Sequence, residues 1–125
     1  MINEVFGWLW ILIGFVSGML IGMKFHEEKW LGGYGSHQRR MVRLGHISFL
    51  GLGIINILFV VSFPRIHLEQ FLLHCVSNAF IVGAISMPLC CFLLAWQKKY
   101  LFLFAIPVLS LIYACFMTIW GIYQL

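Results

Sequence analysis

Val5 to Met23 reads VFGWLWILIGFVSGMLIGM, nineteen residues without a charge or an amide. A helix rises about 1.5 Å per residue, so this run fits the ~20 residues needed to cross a hydrocarbon core. Three more runs follow: Leu44 to Phe63, Phe71 to Trp96 and Leu101 to Tyr123, none with an Asp, Glu, Lys or Arg. Membrane-barrel strands would be shorter and would alternate apolar with polar residues, which these runs do not. A helix satisfies its own backbone in lipid, so helices are the expectation.

Composition agrees. The 125 residues are 62% hydrophobic and 10% charged, against roughly 25% charged in a domain whose surface faces water. The sequence predicts one domain, residues 1–125, as an all-α antiparallel bundle of four transmembrane helices. Its spans are about 5–23, 44–63, 71–96 and 101–123, with a loop over 24–43. The first run differs from a secretory signal in two ways. Asn3 and Glu4 stand where a basic n-region would be, and the run exceeds the ~7–15 residues of a signal core. It is read as a retained span.

Charge gives the bundle a direction. Lys24, Lys29, Arg39, Arg40 and Arg43 fall between the first two spans, and Lys98 and Lys99 between the last two. Only Arg65 lies in the remaining loop. The positive-inside rule makes the basic side cytoplasmic and places both termini outside. The formal charge of +4 then reflects loops lying against headgroups. Membrane lipids are the expected partner, with Arg39, Arg40 and Arg43 as the phosphate-facing group; nucleic acid is not.

Small and polar residues mark the faces that should turn inward. Gly14, Gly18 and Gly22 repeat every fourth residue, with Gly7 two turns earlier, a spacing that lets another helix approach closely. In the second span Gly45, His46, Ser48, Gly53 and Asn56 share one side. In the third, His74, Ser77, Asn78, Ile81, Ala84, Ile85 and Pro88 do. Asn56 and Asn78 are therefore expected to fasten helices, since an unpaired amide is costly in lipid. Pro88 should kink its helix or free a carbonyl near Ala84. In the long loop, Gly32, Gly33 and Gly35 break the first helix, and Ser36 can cap a second one starting near His37. Trp30 and Tyr34 suit the headgroup level.

Chemistry has few candidates. The chain has no Asp, so a Ser-His-Asp triad is excluded. Cys75, Cys90, Cys91 and Cys115 form no C-x-x-C pair and read as small apolar residues inside spans. Five histidines remain. His26, His46 and His74 are the candidates for holding haem b, which needs imidazoles facing an apolar cavity. His26, Glu27 and His46 are the candidate donors for a metal ion. Against both, histidines at span ends commonly bond to headgroups, water or carbonyls.

Three segments carry a family likeness: W-L-G-G-Y-G-S from Trp30 with Arg39-Arg40, R-L-G-H-I-S-F-L-G-L-G from Arg43, and M-P-L-C-C-F-L-L-A-W from Met87. Together the chain resembles an uncharacterised group of small four-span bacterial inner-membrane proteins. The resemblance implies a bacterial inner membrane and brings no activity with it. The segment from His46 is also similar to histidine-bearing helices of haem-dependent membrane proteins. Small multidrug transporters match in size but place an acid in their first span, which this chain lacks. Many fluoride channels insert in both orientations, whereas seven of eight basic residues here fall on one side. The expectation is an accessory or assembly subunit of a larger membrane complex, respiratory or energy-transducing, with no catalytic activity of its own. A haem- or metal-binding membrane protein is the alternative and a small transporter the third choice.

Overall fold

The computed structural model describes residues 2–124. They form four helices, each long and apolar enough to cross a membrane: α1 (Ile2–Lys24), α2 (His37–Ser62), α3 (Gln70–Trp96) and α4 (Ala105–Tyr123). They make an antiparallel bundle in which α1 packs on α2, α2 on α3 and α3 on α4. Of the apolar part of α3, 44% of residues are buried, against 11% for α1 and for α4. The second and third helices are thus the centre, and the outer two lie on either side.

Helix ends follow from local chemistry. Ser36 is the N-cap of α2, its hydroxyl oxygen accepting from the Arg39 N–H at 3.1 Å. The helix therefore starts well before the apolar run, and Arg39 to Arg43 are helical. At its other end Pro64 has no N–H to give the Val60 carbonyl. The Phe63 N–H takes that carbonyl instead, tightening the chain into a 3-10 turn over Phe63–Arg65. The fourth span begins as α-helix at Ala105 rather than near Leu101, because Pro107 cannot donate to the Leu103 carbonyl. Lys98–Phe104 is 3-10, and the weak Cys90 S–H donor lies 3.5 Å from Leu103 O.

Pro88 has the counterpart effect inside α3. It leaves the Ala84 carbonyl without its helical donor, and Trp10 Nε1 of α1 donates to that oxygen at 2.8 Å. The Trp10 indole stacks on Phe6 at 4.3 Å between centroids and meets Phe49 edge-on at 5.5 Å. A second apolar core joins Phe59, Val76, Phe80 and Ala114 of α2, α3 and α4. The short α2–α3 connection closes over the end of α4, where His67 N–H donates to Gly121 O at 2.8 Å.

Candidate functional site

The polar groups inside the bundle sort into three levels along α1 and α2. At the end that holds both termini, Asn3, Asn56 and Ser77 are buried together. Asn3 Nδ2 donates to Asn56 Oδ1 at 2.9 Å and to the Ser77 carbonyl at 3.2 Å. Ser77 Oγ donates back to Asn3 Oδ1, and Asn56 Nδ2 donates to Leu52 O at 2.9 Å. Three helices are thereby clasped through two amides and one hydroxyl.

In the middle the two helices come close through glycines. A Cβ built on Gly7 would lie 2.7 Å from Gly53 O, one on Gly14 2.6 Å from Leu50, and one on Gly18 2.5 Å from the His46 ring. The partner of the glycine stripe is therefore α2. Gly22 needs a correction: among the described residues, a Cβ built there would meet nothing within 4 Å beyond its own helix backbone. Packed helices of this kind follow a period near 3.5 residues, whereas Gly14 and Gly22 are eight apart, about 80° round the helix.

His46 belongs to this middle level. The Ser17 hydroxyl donates to Gly14 O at 3.0 Å, so its oxygen is free to accept from His46 Nδ1 at 3.1 Å. The imidazole fills the space left by Gly18.

The third level lies at the basic end and is built around Arg39, which is fully buried. Its guanidinium carbon lies 4.5 Å from the Phe25 ring centroid, 5.5 Å from Trp30 and 4.1 Å from Tyr34. Its Nη2 donates to Phe25 O at 3.1 Å and its Nη1 to Glu28 O at 3.3 Å, while Nε has no partner among the described residues. Tyr34 OH also donates to Phe25 O, at 2.9 Å. The loop bends round this charge through left-handed backbone at Leu31, Gly32 and Gly33, with φ of 52°, 85° and 99°. For Leu31 that conformation costs of order 1 kcal/mol. The reading of Arg39, Arg40 and Arg43 as one headgroup cluster is corrected accordingly. Arg39 turns inward under three aromatic rings, and only Arg40 and Arg43 stand exposed.

No family model, curated protein or solved structure matches this chain. Its chemistry must be read from the geometry alone. The histidines do not converge. His26 and Glu27 are exposed beyond α1, with Glu27 4.0 Å from Lys24, while His46 is turned to Ser17. Among the described residues no three His, Cys, Asp or Glu side chains are placed to share a metal ion. His37 Nε2 bonds to Leu94 O at 2.8 Å, a free carbonyl in the last turn of α3.

The expected inner face of α3 is split. Ser77, Ala84 and Pro88 are buried, but His74, Asn78 and Ile85 are exposed. Asn78 makes no side-chain hydrogen bond among the described residues, so it fastens no helix of this bundle. Its place is taken by Asn3, which sequence reading left at the membrane edge. The signal for Asn3 is present: Asn3, Gly7, Trp10, Gly14 and Ser17 alternate four and three residues apart, the spacing of a helix-packing seam.

Proposed function

We propose that this integral membrane protein is an accessory or assembly subunit of a larger membrane complex, seated in a bacterial inner membrane with both termini outward. The observation that carries the reading is the use made of its buried polar side chains. Asn3, Asn56 and Ser77 bond to one another and to backbone, and Arg39 closes its own loop. A binding or transport site needs polar groups free to exchange their partners with a ligand. Here they hold helices, as befits a protein whose role is to be a shaped membrane surface. The broad exposed apolar faces of α1 and α4, with Trp8, Leu12, Phe15, Leu109, Ile112 and Phe116 outward, supply that surface.

The test is isolation from its own membrane at native abundance with mild and then stronger detergents. The expected result is a particle in mild detergent that contains other membrane polypeptides in fixed proportion and falls apart as detergent strength rises. Recovery of this chain alone at every strength would refute it.

A further inference from the structure

One strip of the surface does not suit lipid. The exposed edge of α3 runs through Gln70, His74, Asn78, Val82, Ile85, Leu89 and Leu93. Its first three members are polar and stand four residues apart, so they follow one ridge that winds about 80° round the helix from Gln70 to Asn78, all of it on the exposed side. Depth follows from length. The 27 residues of α3 span about 40 Å, so a ~30 Å hydrocarbon core leaves about 5 Å at each end. Gln70 then sits among headgroups, His74 at the boundary, and Asn78 about 7 Å inside the hydrocarbon. Among the described residues, the exposed faces of α1, α2 and α4 within their apolar runs carry no amide, imidazole or charge. Among the described residues, the polar ridge on α3 has no counterpart within those runs.

An amide facing hydrocarbon lacks partners for its carbonyl oxygen and its two N–H donors, and none is supplied among the described residues. We infer that the partner is a second copy of this chain, docked α3 against α3 across a two-fold axis normal to the membrane. Three points favour this occupant. The charge bias inserts every copy the same way round, so on such an axis each residue meets its own equivalent at the same depth. Each of the three side chains is self-complementary: an amide both donates and accepts, and a neutral imidazole has one nitrogen of each kind. A foreign helix would need a polar group matched to Asn78 in depth, whereas an isologous contact supplies one automatically. Below Asn78 the strip continues with Val82, Ile85, Leu89 and Leu93, so the same face offers apolar packing through the other leaflet. Beside its polar half lies a cleft of about 290 Å³ lined by Ile2, Phe63, Gln70, Leu73, His74 and Ser77, with room for a partner's side chains. The inference stands apart from the accessory-subunit reading, because self-association in pure lipid needs no other protein.

The experiment is subunit counting by photobleaching. The full chain, with one fluorophore on an appended C-terminal tag, is reconstituted in phosphatidylethanolamine–phosphatidylglycerol vesicles over a range of protein-to-lipid ratios. Two-step bleaching that gives way to single steps on dilution is expected. Asn78→Leu should shift that transition to about tenfold higher protein density, from loss of paired interhelical amide bonds. Asn78→Gln, which keeps the amide, should stay within about threefold of wild type. Leu109→Ala on the outer face of α4 should change nothing. Asn78 is exposed and makes no side-chain hydrogen bond among the described residues, so Asn78→Leu should unfold at the same denaturant strength as wild type. Single-step bleaching at every density would overturn the inference, as would assemblies larger than two, or an Asn78→Leu protein that associates like wild type.

Discussion

Gly7→Ala puts the close approach of α1 and α2 to a quantitative test. The added Cβ would fall 2.7 Å from Gly53 O and 2.7 Å from Ile57 Cγ1, where ordinary contact starts at 3.4 Å. The isoleucine can rotate aside, but a helical carbonyl cannot, so the helices must part by about 0.7 Å at this level. The clasp lies one turn away. An equal displacement there would lengthen the Asn3–Asn56 bond, now 2.9 Å, to about 3.6 Å, past the range of a useful hydrogen bond. Overpacking costs ~1–3 kcal/mol. A weakened interhelical bond adds ~0.6 kcal/mol or somewhat more, and the better helix propensity of alanine returns up to ~1 kcal/mol. The expected net loss is about 2 kcal/mol.

Gly22→Ala is the internal control, since among the described residues its added Cβ would meet nothing within 4 Å beyond its own helix backbone. It should stay within about 0.5 kcal/mol of wild type. The assay is reversible unfolding in mixed micelles, followed through the tryptophans, of which the chain has five. Equal stabilities for the two variants would refute the argument, because Gly7 faces the α2 backbone and Gly22 faces no neighbouring helix.

Three further outcomes follow from the other levels. Asn56→Leu removes one of the two acceptors of Asn3 Nδ2, leaving the Ser77 carbonyl, and should cost about 2 kcal/mol, the penalty for a buried amide left partly unpaired; the same unfolding assay checks it. Trp10→Phe keeps most of the ring but gives up the bond to Ala84 O, for a loss of about 1 kcal/mol and faster exchange of the amides around Pro88. Arg39→Lys keeps the charge but cannot reach both Phe25 O and Glu28 O from one ammonium. Limited proteolysis of vesicle-embedded protein should then cut between Phe25 and Gly35 about tenfold faster, while Arg40→Lys leaves the rate unchanged.

The helices were legible because hydrophobic length is a direct physical requirement of the bilayer. The Ser36 cap and the free carbonyl opposite Pro88 were legible because each depends on a residue's own backbone chemistry. What escaped was rotation. A wheel turned at 100° per residue spreads Gly14, Gly18 and Gly22 into one stripe and groups Asn78 with Ser77. Helices that wrap on one another keep the same face in contact every 3.5 residues instead. At that period the seam of α1 runs Asn3, Gly7, Trp10, Gly14, Ser17, and that of α2 runs Arg39, Val42, His46, Phe49, Gly53, Asn56. The two residues read as peripheral, Asn3 and Arg39, are members of these seams, while Gly22 drifts off the first.

The seams also explain why charge and amide are where they are. Glycine contacts let two backbones meet but fix neither register nor ends, and in lipid no hydrophobic force between helices does so either. The pair is therefore closed by directional bonds at both ends. Asn3 meets Asn56 at one end, and at the other Arg39 on α2 holds the carbonyl of Phe25, the residue that follows α1. A one-residue slip would part both pairs at once, leaving a buried guanidinium and a buried amide unpaired. The cost of a buried arginine and a strained Leu31 is offset by a unique register, which the glycines between them could not set.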